Sequence, residues 1–340
     1  MENKARVIAE HKGVYKVKNE NGEFLAKVTG KQMFDALSRE DYPAVGDWVI
    51  IDELLENLAV IKEILPRKTI IKRKQVGKES VQIIATNIDV AFIVESVGRD
   101  YNLNRFERYF SLAKDGGVKP VVVLNKIDLI SNDELQVVLA QLKDRFPDIG
   151  VIPTSVVEDS DLSELKDYIE SDKVYCFLGS SGVGKSSLIN KLIGKDVIKT
   201  ENVGSHSARG VHATTSRQMY FLPARAGGES GGVVVDNPGM RQVGMADVSE
   251  GIDTNFDEIT KLSPECKYND CTHTHEKSCK VLSAIESGEI AKDKYLNYLS
   301  LKKESNYYEM SEINKRQKER SFGKFISGAK KSLKKYGHKI

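Results

Sequence analysis

Apolar and polar positions divide the chain into three regions with different periodicity. Up to about residue 72, short apolar stretches alternate with turn residues and show little helical pattern. The stretches typical of strands are "GVYKVK", "EFLAKVTG", "VGDWVII" and "LAVIKEIL". Their spacing predicts a small barrel of about five strands. We interpret it as an OB-fold, which closes such strands and leaves few free edges, while an SH3-like barrel that binds protein stays an alternative.

From about residue 80 to 245, continuous apolar runs alternate with segments of helical periodicity. The runs are typical of strands covered on both faces: "IDVAFIV", "PVVVL", "GVIPTS", "VYCFL" and "GVVVD". The segments predicted as helices are "LNRFERYFSLAKDG", "DELQVVLAQLKDRF" and "SSLINKLIG". Such alternation predicts a doubly wound α/β domain.

The third region, beyond residue 245, is predicted to be mostly helical around a cysteine cluster. It continues into a long polar helix and a basic tail. The predicted domain boundaries are therefore 1–72, 73–245 and 246–340.

The stretch "GSSGVGKSS" lies between an apolar strand and an amphipathic helix, the context that a phosphate-binding loop requires. Glycines let backbone N–H groups turn towards phosphates, Lys185 supplies a cation to the β- and γ-phosphates, and the Ser186 hydroxyl is suited to Mg²⁺. The predicted phosphate-binding residues are Gly179, Ser180, Ser181, Gly182, Val183, Gly184, Lys185, Ser186 and Ser187.

A second motif that could contribute to an Mg²⁺ site is "VVVDNPGM". Asp236, at the end of an apolar strand, is predicted to hold Mg²⁺ through water, and the Gly239 N–H to sense the γ-phosphate. On its own D-x-P-G is a common turn and weak evidence for a nucleotide site. Because it follows a phosphate-binding loop here, it becomes strong evidence.

The stretch "VVVLNKIDLI" ends an apolar run in the N-K-x-D pattern with which GTPases select guanine. Asp128 can accept hydrogen bonds from guanine N1–H and the 2-amino group, donors that adenine lacks. Asn125 and Lys126 are predicted to hold the loop and cover the base. Ser155, in "PTSV", is predicted to anchor the remaining guanine-contacting loop.

The base-reading motif precedes the phosphate loop along the chain, which reverses the order in Ras-like GTPases. Ligand sites of a doubly wound sheet lie at the carboxyl ends of its strands, so joining the original termini and cutting elsewhere preserves them. We therefore predict a circularly permuted GTPase that binds GTP or GDP. The cut also makes the D-x-P-G segment lead directly into the C-terminal region, a hypothetical route for transmitting nucleotide state.

The segment "CKYNDCTHTHEKSC" supplies Cys266, Cys271 and Cys279, with His273 and His275 as candidate fourth ligands. Three thiolates and an imidazole suit a closed, tetrahedral and structural Zn²⁺ site. Cys176 lies on a buried strand and is interpreted as packing.

The formal net charge of +2 is too small to indicate nucleic-acid binding by itself, so only the local distribution of charge is informative. The run "RKTIIKRKQVGK" at 67–78 and the tail after residue 314 are strongly basic. Such runs are usually solvated surface, but beside a possible OB barrel they also fit nucleic-acid binding. The absence of a signal-peptide core, of a membrane-length apolar run and of a disulfide framework favours a cytoplasmic protein.

The chain resembles the RsgA (YjeQ) GTPases of small ribosomal subunit biogenesis over nearly its whole length. The motifs that carry the resemblance are "LPRKT", "NIDVAFIV", "YNLNRFERY", "GSSGVGKSSLINKLIG", "DNPGMR" and "CKYNDCTHTHEKSC". The resemblance implies GTP hydrolysis on the 30S subunit during late maturation, contact with 16S rRNA, a monomer, and His273 rather than His275 as the zinc ligand.

One segment departs from the family pattern G-x-H-T-T-T, because this chain has "RGVHATT". Ala213 replaces the first threonine, so Thr214 is preferred over Thr215 as the Mg²⁺ contact. His212 matches the family histidine implicated in hydrolysis. Met240 stands where Ras has its water-orienting glutamine, and a thioether cannot orient water.

Two other functions remain to be weighed against a ribosome-dependent GTPase. In a nucleotide-gated RNA-binding clamp, hydrolysis would only reset binding, and a non-hydrolysable GTP analogue would support function. A zinc-delivery GTPase is disfavoured because the sequence lacks a metal-binding tail of repeated His or Cys.

Overall fold

The structure is a computed structural model that describes residues 3–11, 13–54, 57–74, 81–98, 101–157, 159–198, 217–223, 231–236 and 248–309. Among these residues, no helix is both long enough and apolar enough to cross a membrane.

The N-terminal region is a closed barrel. Its strands are β1 (Lys4–His11), β2 (Val14–Asn19), β3 (Gly22–Val28), β4 (Trp48–Glu53) and β5 (Leu58–Ile64). They follow the order β1-β2-β3-β5-β4, and β4 pairs back with β1. Only the β3–β5 pairing within this barrel is parallel, the strand arrangement of an OB-fold. The prediction of an OB barrel is confirmed.

A short helix, α1 (Gly30–Asp35), follows β3. The sequence interpretation gave this region little helical character and missed it. The local signal was a capping box: Thr29 accepts from the Gln32 backbone N–H, and the Gln32 side chain accepts from Thr29 N–H.

An antiparallel ribbon connects the barrel to the second region and was also not predicted. It consists of β6 (Ile70–Lys74) and β7 (Val81–Thr86). Just before it, Arg67 donates from Nε and Nη2 to the two carboxylate oxygens of the buried Asp47, at 2.8 and 2.7 Å. This member of the basic run therefore ties the ribbon to the barrel, and only 11% of its side chain is exposed.

The second region contains a sheet that confirms the doubly wound prediction. Its strands are β8 (Val90–Ser96), β9 (Lys119–Asn125), β10 (Val151–Thr154), β11 (Val174–Leu178), β12 (Gln218–Phe221) and β13 (Val233–Asp236). Their spatial order is β10-β9-β8-β11-β13-β12, with β12 antiparallel to β13 and the others parallel. The carboxyl ends of β9, β11 and β13 consequently face the same edge.

Helices cover both faces of this sheet because its strands are apolar on both sides. They are α2 (Leu103–Asp115), α3 (Asn132–Arg145), α4 (Ser163–Tyr168) and α5 (Lys185–Ile193). One core cluster joins α2 and α3 to the sheet, and another joins α4 and α5 to its opposite face. At its β12 edge the sheet continues into the barrel, where Gln218 pairs with Ala9.

The described part of the C-terminal region contains four helices, of which the first and the last pack against α2. They are α6 (Ser249–Asn255), α7 (Asp257–Leu262), α8 (Lys280–Glu286) and α9 (Lys292–Glu309). Helix α6 approaches so closely that a Cβ on Gly251 would lie 2.1 Å from the Ser111 carbonyl oxygen. Buried polar groups also cross this interface, with Asn297 of α9 donating to the Glu107 carboxylate of α2. The third region therefore shares its core with the second.

Candidate nucleotide site and metal centre

The loop after β11 has the backbone of a phosphate cradle. Gly179, Gly182 and Gly184 all have positive φ values, at 151°, 86° and 100°. A Cβ at Gly179 would lie 2.2 Å from the Val94 carbonyl oxygen, and one at Gly184 would lie 2.2 Å from Asn125 Nδ2. Glycine is thus required both for backbone conformation and for close approach to neighbouring strands.

The predicted base-reading residues contact this loop directly. Asn125 Nδ2 donates to the Val183 carbonyl at 2.8 Å, and Lys126 Nζ donates to the Gly182 carbonyl at 2.7 Å. The Thr154 hydroxyl donates in turn to Asn125 Oδ1 at 3.2 Å. The contacts made by Asn125 and Lys126 with the loop join residues more than fifty positions apart, so the two motifs form one site.

Asp128 and Ser155 also lie together, just after β9 and β10 at the same edge, where Ser155 is fully buried and Asp128 is exposed. Ser155 Oγ donates to Asp128 Oδ1 at 2.5 Å, while it accepts from Val157 N–H at 3.1 Å. Ser155 therefore orients the Asp128 carboxylate. The carboxylate itself is exposed, as a group that receives the edge of a base must be.

Lys185 and Asp236 lie buried at the phosphate side. Lys185 is 6% exposed, and its Nζ donates to the carbonyls of Gly179 and Ser180 at 2.9 and 2.6 Å. Burial lowers the pKa of Lys185 to about 8, although Asp236 and Glu95 favour its charged form. Burial likewise raises the pKa of Asp236 to about 6, an effect that Lys185 opposes.

Asp236 has the character of a cation ligand. It is 2% exposed, and its Oδ2 atom has no hydrogen-bond partner among the described residues. An unsatisfied buried carboxylate oxygen is costly unless something else pairs with it. Carboxylate and hydroxyl oxygens suit Mg²⁺, and Ser186 lies in the first turn of α5. The residues present therefore fit the ion that this class of site implies.

Other predicted site residues cannot be placed. His212, Thr214, its alternative Thr215, and Gly239 lie outside the described residues. Their assignments stay predictions.

Sequence reasoning missed three residues beneath the phosphate loop. Glu95, fully buried at the end of β8, pairs with Arg105 Nη1 of α2 at 3.4 Å. One turn further along α2, Tyr109 shares a hydrogen bond with the Ser180 side chain. The signal was the spacing of Arg105 and Tyr109 in "YNLNRFERY", because residues four apart lie on one helical face.

The cysteine cluster converges in space. Ligand atoms of Cys266, Cys271, His273 and Cys279 all lie within 4.8 Å of one another. The Cys266 and Cys279 sulfurs are 3.8 Å apart, and His273 Nδ1 lies 3.6 and 3.4 Å from them. A tetrahedral zinc with sulfur ligands at roughly 2.3 Å has edges of roughly 3.8 Å. The cluster is thus compatible with zinc.

The surroundings of His273 suit a metal ligand. Its Nε2 lies 3.0 Å from Ser263 Oγ, a partner that leaves Nδ1 directed at the sulfurs. Burial lowers the pKa of His273, which favours the neutral imidazole. His275 is exposed and lies outside the cluster. Cys176 is fully buried in β11, and burial raises the pKa of its thiol, as expected for packing.

A phosphate loop and a guanine-type reader meet at the edge of a sheet whose strands follow a rotated chain order. Together they define a circularly permuted GTPase, a hydrolase that acts on GTP. The family model described as RsgA GTPase matches residues 64–246. The chain belongs to the RsgA GTPase family, which confirms both the resemblance and the predicted enzyme class.

Named relatives agree with this assignment. Small ribosomal subunit biogenesis GTPase RsgA 2 of Lactiplantibacillus plantarum is 39% identical over 97% of this chain and 90% of its own length. A relative named small ribosomal subunit biogenesis GTPase RsgA, from Methanosarcina acetivorans, is 37% identical over 89% of this chain and 79% of its own. The crystal structure of YjeQ from Thermotoga maritima is 27% identical, with a TM-score of 0.63, and covers 88% of this chain and 97% of that one.

Proposed function

We propose that this protein is a ribosome-dependent GTPase that binds the 30S subunit through 16S rRNA. It hydrolyses GTP to GDP and phosphate during late small-subunit maturation. The names of its relatives support this role. It acts in the cytoplasm as a monomer, with an OB domain at 1–72, a GTPase domain at 73–245 and a zinc-binding domain at 246–340.

The guanine base is bound by the residues that follow β9 and β10. Asp128 accepts from N1–H and the 2-amino group, and the hydrogen bond from Ser155 keeps its carboxylate in place. Asn125 and Lys126 join the base side to the phosphate loop through the Val183 and Gly182 carbonyls. Adenine would leave the acceptors of Asp128 unpaired, so selection for guanine is steep.

The phosphates are bound by the loop from Gly179 to Ser187 and by the start of α5. Lys185 leaves the carbonyls that it contacts here and pairs with the β- and γ-phosphates, which relieves the cost of its burial. Ser186, Thr214 and Asp236 hold Mg²⁺, and the Gly239 N–H senses the γ-phosphate. Mg²⁺, when bound, supplies positive charge that neutralises the phosphate oxygens as the bond breaks.

The catalytic residue is His212, which positions the attacking water. The residue after D-x-P-G is Met240, whose thioether cannot do so. In the C-terminal domain Cys266, Cys271, His273 and Cys279 hold one structural Zn²⁺, because the donor set is closed and offers no open position for chemistry.

The single observation that carries the proposal is the pair of hydrogen bonds from Asn125 and Lys126 to the phosphate loop. They unite a base reader and a phosphate cradle that the chain order separates. A GTPase site requires the base-reading residues and the phosphate loop to lie in contact. Two unrelated turns would not be expected to form these hydrogen bonds.

The test is GTP hydrolysis measured alone, with purified 30S subunits and with purified 50S subunits. We expect slow turnover alone and stimulation by 30S but not by 50S. Equal rates under all three conditions would contradict ribosome dependence. A parallel assay measures 30S maturation with a non-hydrolysable GTP analogue in place of GTP. A clamp would support maturation fully with the analogue, whereas an enzyme that needs turnover would not.

A further inference from the structure

The cysteine cluster takes its histidine from a segment that offers two. Residues 272–276 have the sequence "THTHE", so two imidazoles lie only two positions apart. The structure separates them, because His273 is 5% exposed and belongs to the cluster, whereas His275 is exposed and lies outside it. Some feature of this segment must direct one ring inward and keep the other outside.

The backbone of His273 has a conformation that the residue does not prefer. Its φ is 58°, in the left-handed region that residues with a Cβ rarely occupy. Such a conformation persists where the surrounding contacts fix it. Two of these contacts act on His273 itself: Ser263 Oγ lies 3.0 Å from Nε2, and the Tyr295 hydroxyl donates to the His273 carbonyl. The peptide groups on either side of His273 have a different partner.

That partner is the carboxylate of Glu276. Its Oε1 atom accepts from the Thr272 backbone N–H at 2.8 Å and from the Thr272 hydroxyl. Its Oε2 atom accepts from the N–H groups of Thr274 and His275, at 2.9 and 3.1 Å. One backbone donor before His273 and two after it therefore converge on one side chain. An ionised carboxylate only accepts, and its two oxygens can receive all of these donors at once.

A chain of side-chain hydrogen bonds leads from the same carboxylate to the second imidazole. Thr272 Oγ1 lies 2.7 Å from Thr274 Oγ1, which in turn lies 2.8 Å from His275 Nδ1. The Thr272 hydroxyl gives its single proton to Glu276, so it accepts from Thr274. The Thr274 hydroxyl must then accept from His275. Nδ1 of His275 thus carries a proton, and a protonated ring nitrogen is not available to a metal ion.

We propose that Glu276 is the positioning residue that assigns His273, rather than His275, to the zinc site. Its carboxylate holds the turn that directs one imidazole at the sulfurs, and it anchors the hydroxyl chain that keeps the other imidazole outside. This inference rests on the proposed Zn²⁺ site and adds to it a residue that is not itself a ligand. Substituting groups that orient metal ligands typically lowers metal affinity by about 10–100-fold.

The experiment measures the Zn²⁺ affinity of the full chain by competition with a chelator of known affinity, which requires no isolated metal-free protein. We expect Glu276→Ala to weaken Zn²⁺ binding by about 10–100-fold. Glu276→Gln keeps one acceptor oxygen and should weaken it less, and it takes the place of the alanine variant in every comparison if that variant does not fold. Glu265→Ala is the matched control, because it removes an exposed glutamate beside Cys266, and it should bind Zn²⁺ as the unaltered protein does.

Histidine substitutions distinguish ligand choice from simple stabilisation of the turn. With Glu276 present, His273→Ala should weaken Zn²⁺ binding, and adding His275→Ala should weaken it no further. In the Glu276→Ala background, His273→Ala should cost a smaller factor because His275 can replace the lost ligand, and adding His275→Ala should then weaken binding further. A carboxylate that only stabilised the fold would lower Zn²⁺ affinity without making it depend on His275.

Two results would overturn the role of Glu276. One is a Zn²⁺ affinity of Glu276→Ala equal to that of the unaltered protein. The other is an effect of His275→Ala that is the same with and without Glu276.

The zinc site and the role of Glu276 fail differently. If Cys266→Ala and His273→Ala bind Zn²⁺ as tightly as the unaltered protein does, the proposed zinc site is wrong, and Glu276 has no ligand to assign. If those two variants bind Zn²⁺ more weakly but the Glu276 variants match the unaltered protein, the zinc site stands and the inference about Glu276 is wrong.

Discussion

Two buried carboxylates, Glu107 of α2 and Asp236 of β13, lie in the same domain and differ in their partners. Burial raises the pKa of both. Glu107 is fully buried, yet Arg145 Nε donates to Oε1 at 2.9 Å and Asn297 donates to Oε2. Asp236 has Lys185 nearby, but its Oδ2 has no hydrogen-bond partner in the described part of the chain.

The difference separates structural charge from functional charge. Arg145, Glu107 and Asn297 come from α3, α2 and α9, so their network fastens the C-terminal region to the sheet domain. Asp236 is left incomplete at a site edge, as expected for a group that completes its interactions with a ligand. Substituting the partners of Glu107 should lower the free energy of unfolding, and substituting Asp236 should lower the rate of GTP hydrolysis.

The largest effect is expected from Arg145→Ala. It leaves the Glu107 charge buried without its main partner, and breaking a buried pair typically costs about 3–5 kcal/mol of unfolding free energy. Chemical denaturation measures this loss. Lys143→Ala, an exposed change in the same helical turn, is the control and should have little effect.

The pH dependence of the Arg145→Ala penalty gives a second check. Without Arg145 the folded-state pKa of Glu107 rises further above its unfolded value. The folded state then binds the proton more tightly than the unfolded state, so protonation stabilises the fold. The penalty should therefore shrink as pH falls from 7.5 towards the ordinary range of a glutamic acid. A penalty independent of pH would contradict the role given to Glu107.

Asp236→Asn should show the opposite pattern. Removing the metal-side carboxylate should reduce 30S-stimulated kcat/KM by about 10²–10³-fold, the usual effect of deleting one electrostatic contact in a reacting site. The unfolding free energy of the nucleotide-free protein should not fall. Because the folded-state pKa of Asp236, about 6, exceeds its ordinary value, ionisation costs stability above that pH, and asparagine removes this cost. Stability lost on the scale of Arg145→Ala would contradict this interpretation.

Asn297→Ala should have the smallest of these effects. It removes one donor to Glu107 while Arg145 stays in place, and loss of a hydrogen bond to a charged group costs about 1.5–3 kcal/mol. Denaturation again provides the measurement, with turnover per folded molecule unchanged. Reduced turnover at equal stability would mean that α9 influences the nucleotide site directly.

Continuous apolar runs made much of the sheet predictable. Strands β8, β9 and β11 are covered on both faces, so their pattern identifies them without knowledge of their neighbours. Strand β12 and the β6–β7 ribbon are short and carry polar residues, and their pairing depends on partners that are distant in sequence. Sequence periodicity is weakest for such elements.

The candidate site also contains a part that the sequence predicts and a part that it does not. Motifs of the phosphate loop and of the base reader are local in sequence, and a few residues identify each. Contacts such as Tyr109 with Ser180, or the pairing of Gln218 with Ala9, join positions that no local pattern connects. They become visible only once the sheet order is known.

The most direct test of a single, converged guanine site is the base specificity of Asp128→Asn, measured by titration calorimetry with GDP and xanthosine diphosphate. Xanthine carries a 2-oxo acceptor where guanine carries its amino donor, and an asparagine amide can donate to it. The variant should lose GDP affinity on the order of 10⁴-fold and should prefer xanthosine diphosphate. Undiminished GDP binding by the variant would show that the motif after β9 does not read the base held at the phosphate loop.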